Sequence, residues 1–104
     1  KYRLTIGGFR GSMNDSMKWY NGRRFTTHDS DNDSHKTEIC AISRKGPWWY
    51  TSCGVTLFGI YPKGRVCPQY GSCVTWSVWG SVIGTPNNNH YSFKEASMKI
   101  YRTI

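Results

Sequence analysis

Phe25-Thr26-Thr27-His28-Asp29-Ser30-Asp31-Asn32-Asp33, then Cys40-Ala41, then Gly46-Pro47-Trp48-Trp49-Tyr50-Thr51-Ser52-Cys53: this stretch decides how the chain is read. Three of its six acidic residues fall within five positions, although the formal net charge is +8. Carboxylates that close repel one another, and a cation between them relieves the repulsion. Oxygen donors alternating along a turn suit Ca²⁺, which accepts about six to eight oxygens in flexible geometry. The loop is not an EF-hand, which requires Gly at the sixth position and Glu at the twelfth. Counted from Asp29, those positions hold Ser34 and Cys40. The plainer alternative is a solvated acidic turn or a helix N-cap.

Outward from this stretch, both ends of the chain carry alternating patterns. Tyr2, Leu4 and Ile6 alternate with Arg3 and Thr5, the period of a half-buried strand. Tyr91 and Phe93, then Ala96, Met98 and Ile100, alternate with Ser92, Lys94, Ser97 and Lys99 around a one-residue change of phase, which predicts a second, bulged strand. A short helical turn is expected over 15–20. Between 21 and 89 loops, short hairpins and single helical turns are expected, with an exposed loop at Asn87-Asn88-Asn89 after Pro86.

Composition narrows the class. With 104 residues the chain is read as one domain, 1–104. Sixteen aromatics (five Trp, seven Tyr, four Phe) supply much of the area a core needs, while eleven Gly and four Pro indicate a loop-rich fold. No apolar run is long enough for a transmembrane helix, and the N-terminus carries no apolar signal core. Four cysteines in a small chain favour disulfides and secretion over zinc, since no C-x₂₋₄-C spacing occurs. Three pairings are formally open. Lys1 in place of an initiator Met suits a processed or excised product. Of the two sequons, Asn14-Asp15-Ser16 is a candidate glycan acceptor in a secreted chain, and Asn32-Asp33-Ser34, inside the acidic loop, is expected to be unused. His28, His35 and His90 accompany no nucleophile motif, so an enzyme is not expected. Fourteen Lys and Arg are scattered in small clusters. They could hold anionic glycans through salt-sensitive contacts or form a solvated basic face; nucleic acid is an unfavoured partner.

The same stretch, together with Tyr2-Arg3-Leu4-Thr5-Ile6-Gly7-Gly8-Phe9-Arg10-Gly11, Asn21-Gly22-Arg23-Arg24-Phe25 and Tyr91-Ser92-Phe93-Lys94-Glu95-Ala96-Ser97-Met98-Lys99-Ile100, resembles the fibrinogen-related domain. That family includes fibrinogen globes, ficolins, tachylectins, angiopoietins and tenascin globes. The matches run in order from Tyr2 to Arg102 and correspond to the C-terminal half of such a domain, so either a partner chain supplies the other half or the chain is a short member. The resemblance implies an α+β, loop-rich fold with a small antiparallel sheet, short helical turns, a calcium loop and two disulfides. In it the two terminal strands would lie side by side. Cys40 would pair with Cys53, as in the family, which leaves Cys67 with Cys73.

The resemblance further implies Ca²⁺ ligands from the Asp31 and Asp33 side chains and the main-chain carbonyls near His35 and Thr37, with Asp29 behind them. Six residues rather than five separate Asp33 from Cys40, so the carbonyls can shift by one. In the lectin branch a pocket beside this loop accepts an acetyl group, and a cis peptide before the second cysteine, here Ser52–Cys53, turns main-chain N–H groups toward it. Arg44, Ser52, Cys53, Tyr70 and His90 are the candidate ligand-binding residues. The chain departs from the family at Gly54 (usually His), Arg44 (usually Tyr), Gly71 (acidic in fibrinogen's knob pocket) and Val55-Thr56-Leu57-Phe58-Gly59 (usually S-N-L-N-G). The expected function is that of a secreted, calcium-binding, lectin-like module for acetylated or anionic glycans in defence or agglutination. The alternative is a protein–protein module with a vestigial sugar pocket.

Overall fold

Residues 2–84 and 89–102 are described by a computed structural model of the chain. Trp48, Trp49 and Tyr50 are consecutive and all buried, so this segment has no solvent face and other segments must wrap it on both sides. Tyr20 meets Trp48 edge-on at 5.7 Å, Trp48 meets Trp49 at 5.3 Å and Phe58 at 5.1 Å, and Phe25 meets Trp49 at 5.0 Å. Tilted and T-shaped pairs of this kind add about 0.5–1.5 kcal/mol each beyond the area they bury. Met17, Cys40, Ala41 and Cys53 complete this core.

Thr26 and Trp48 exchange both main-chain hydrogen bonds, 2.9 and 3.2 Å, in an antiparallel bridge. That bridge sets the acidic loop against the tryptophan segment. The disulfide expected between Cys40 and Cys53 is formed, and so is Cys67–Cys73. A single helical turn, α1 (Cys40–Ser43), starts at the first cysteine, and its Cys40 N–H donates to Asp33 Oδ2 at 2.9 Å. A 3-10 turn covers Lys18–Tyr20, and α2 (Trp79–Val82) packs its tryptophan ring on Phe93 and Tyr91 at 5.4 and 6.0 Å.

The expected pairing of two terminal strands is not found among the described residues. Leu4 exchanges hydrogen bonds with Gly22 and Arg23 instead, and among the described residues antiparallel contacts occur only as isolated bridges, such as Val66 with Tyr91. The closing segment is anchored through Cys67 N to His90 O, Ser92 N to Arg65 O and Phe93 N to Val74 O. Among the described residues beyond Phe93 it contributes no backbone donor. The two terminal segments nonetheless face each other across a groove of about 830 Å³ floored by Met17 and Trp49, so the ends of the chain do lie near one another. Of the expected exposed loop, 86–88 lie outside the described residues, and Asn89 is buried, 5 % exposed. Its carbonyl accepts the Gly71 N–H and its amide reaches Tyr70 Oη, two contacts that draw it inward.

Candidate functional site

The acidic loop is organised by its own short side chains. Thr26 Oγ1 accepts the Asn32 N–H at 2.9 Å, Asp31 Oδ1 the Asp33 N–H at 3.2 Å, and Asp33 Oδ1 the His35 N–H at 2.9 Å. With its other oxygen on Cys40 N, Asp33 ties the loop to α1, while Ser34 N donates to the Thr51 carbonyl and ties it to the Thr51-Ser52-Cys53 turn. Burial pushes the Asp33 carboxyl above its ordinary range, against the amides that lower it, and the neighbouring Asp31 pushes the same way. Asp29 is held below its ordinary range by the Thr27 hydroxyl, which donates at 2.7 Å. His35 turns its ring back onto the loop, where Nδ1 accepts from Thr37 and Glu38 N–H and Nε2 lies 3.3 Å from Glu38. The ring is thereby committed, which leaves the His35 carbonyl rather than the imidazole as a ligand.

A hard dication fits this donor set. Two carboxylates stand close enough for one to raise the other's pKa, and Asp33 is pre-oriented by two amides. Main-chain carbonyls at His35 and Thr37 are not used by the hydrogen bonds described above. Among the described residues no three His, Cys, Asp or Glu side chains converge on a point. The residues that could hold an ion are therefore Asp31 and Asp33 with main-chain oxygens. Asn32 is poorly placed to carry glycan, because its Nδ2 already donates to Phe25 O at 2.9 Å.

Arg44, at the C-terminal end of α1, leaves the helix toward the second half of the chain. Its Nε donates to Gly54 O at 2.6 Å and its guanidinium lies 5.6 Å from the Tyr70 ring centroid. Tyr70 meets the His90 ring edge-on at 5.7 Å, and its hydroxyl accepts from Asn89 Nδ2 at 2.7 Å. Of the five residues expected at the ligand pocket, Arg44, Tyr70 and His90 are thus brought into one contact chain. Cys53 adjoins it through Gly54, and Ser52 is exposed at the edge of the turn. Asn89, read from the sequence as exposed loop, is the residue that reasoning missed; only its carbonyl and amide contacts reveal it.

The expected cis bond at Ser52–Cys53 is absent: no cis peptide occurs among the described residues, and Cys53 turns the chain with φ 69° and Gly54 with φ 96°. Two residues of positive φ in succession make the reversal there. Gly54 also has a steric reason to stand where the family has His. A Cβ there would lie 2.6 Å from Tyr20 Oη, which bridges the Val55 carbonyl and N–H at 3.1 and 3.2 Å.

Comparison with known proteins gives one consistent result. The family described as the C-terminal globular domain of fibrinogen beta and gamma chains matches residues 1–103. Ryncolin-4 of Cerberus rynchops is 41% identical over 102 residues, covering 96% of this chain and 27% of the relative. Techylectin-5A of Tachypleus tridentatus is 36% identical over 100 residues, covering 95% and 31%. The fibrinogen-like globe domain of human ANGPTL6 superposes with a TM-score of 0.73 at 32% identity, covering 88% of this chain and 38% of that one. The chain therefore spans about a third or less of the curated relatives, and somewhat over a third of the globe.

Proposed function

Because this chain belongs to the family of the fibrinogen C-terminal globular domain, we propose that it is an extracellular, calcium-binding, lectin-like recognition module whose ligands are acetylated or anionic glycans. The observation that carries the reading is the convergence of Arg44, Tyr70 and His90 beside the Cys53 turn, which the acidic loop holds through Ser34 and Asp33. Its similarity to Techylectin-5A supports the glycan. Its two disulfides support an extracellular site of action.

Ca²⁺ on Asp31 and Asp33, with the His35 and Thr37 carbonyls, would neutralise the paired carboxylates and stiffen the turn that carries Ser52 and Cys53. Its part is structural. The chain's own residues meet the ligand: Tyr70 with a ring face and hydroxyl, Arg44 with its guanidinium, His90 with its imidazole edge. A protein–protein role is the second reading, supported by the likeness to the ANGPTL6 globe and by the groove between the terminal segments. Calorimetric titration of N-acetylated sugars and a sulfated glycan, with calcium and with a chelator, tests the first reading. Calcium-dependent heats support it. Absence of sugar binding alongside calcium-dependent stabilisation favours the second.

A further inference from the structure

Resting on the glycan reading, we propose that Arg44 makes this site selective for sugars bearing a carboxylate, in preference to neutral acetylated ones. The guanidinium is held by two contacts and accommodated by a glycine. Nε is spent on Gly54 O at 2.6 Å, the Tyr70 ring lies beneath at 5.6 Å, and Gly71 gives it room. A Cβ at Gly71 would stand 3.3 Å from both Arg44 Cδ and Nε and 2.8 Å from Val55 Cγ1, and its φ of 66° excludes most side chains as well.

A guanidinium carries five N–H donors, one on Nε and four on the terminal nitrogens. Among the described residues none of those four has a protein acceptor, and no carboxylate forms an ion pair with Arg44. The acidic group that feels its charge, Glu38, is engaged by Ser43 Oγ and His35 instead. With Nε occupied, the end-on pair of terminal nitrogens is what remains, and its two parallel N–H bonds match the two oxygens of a carboxylate. An acetyl group offers one oxygen and no charge, so it leaves half of this fork unmet.

The rest of the surface suits a sugar ring. Tyr70 is 46% exposed and stands edge-to-face with exposed His90. Asn89 is buried and spends Nδ2 on Tyr70, while its Oδ1 has no hydrogen-bond partner among the described residues. The net charge of +8 favours an anionic ligand at long range.

The test is a chemical-shift titration of the calcium-loaded protein with glucuronic acid, glucose and N-acetylglucosamine at low salt, on wild type, Arg44→Gln and Arg44→Lys. Glucuronic acid is expected to bind at least tenfold tighter than either neutral sugar, with shifts centred on Arg44, Tyr70 and His90. Arg44→Gln should remove that preference and Arg44→Lys, which keeps the charge but not the fork, should keep part of it, with spectra elsewhere unchanged. Equal or tighter binding of N-acetylglucosamine, insensitive to Arg44→Gln, overturns the selectivity while the glycan reading stands. No response to any of the three sugars overturns both.

Discussion

Asp33 accepts two backbone N–H groups and stands beside Asp31, and these facts pull its titration in opposite directions. Burial and the neighbouring carboxylate win, so its pKa lies above the ordinary 3.8. A group raised in the folded state favours the fold while protonated: that contribution is complete below pH 3.8 and is lost as pH rises through the folded value. With a chelator present, the difference in melting temperature between wild type and Asp33→Asn should therefore fall as pH climbs from the acid range to neutrality. With calcium present it should rise over the same span, because the ion binds the ionised form. Differential scanning fluorimetry from about pH 3.5 to about pH 7, a span that brackets carboxylate titration, reads both curves. Asp31→Ala, at an exposed position, should leave the chelated protein nearly unchanged but abolish most of the calcium gain, about 2.7 kcal/mol at a hundredfold excess over Kd. Gly54→Ala forces a Cβ onto Tyr20 Oη and is expected to cost about 1–3 kcal/mol. Urea unfolding should show part of that recovered when Tyr20→Phe removes the clashing oxygen.

At the scale of elements, short turns are held by cross-links and rings rather than by ladders. The four-residue α1 is far below the length at which a helix is stable alone. It is held by Asp33 at its start and by the Cys40–Cys53 bridge. Replacing both cysteines by Ser should cost about 3 kcal/mol by loop-closure entropy, and the shorter Cys67–Cys73 loop less, as read by denaturant unfolding. The bridges were legible only through the family resemblance, because cysteine spacing alone leaves three pairings open. The terminal strands were read from alternation, and their pairing from the resemblance. Alternation reports which side chains are buried, not which backbone supplies the partner, and Leu4 finds its partner in Gly22 and Arg23.

At the scale of the whole molecule, a radius of gyration of 13.3 Å matches the roughly 13 Å of a compact domain of about 100 residues. Yet Tyr2, Ile100 and Tyr101 are 84%, 66% and 90% exposed along the terminal groove. Among the described residues, no backbone amide between 94 and 102 donates a hydrogen bond. Hydrogen exchange there should run near the unstructured rate in the isolated chain, and strong protection would show that the expected sheet forms in solution. The sequence by itself determined the acidic loop, from residue types at short spacing, and the family, from motifs matched in order along the chain; the family resemblance in turn implied both disulfide pairs. Tertiary structure alone decided the trans turn at Cys53, the steric need for Gly54 and the grouping of Arg44 with Tyr70, Asn89 and His90. Those depend on segments such as Tyr20 and Val55, 35 positions apart, meeting in space, and no local pattern encodes the packing that brings them together.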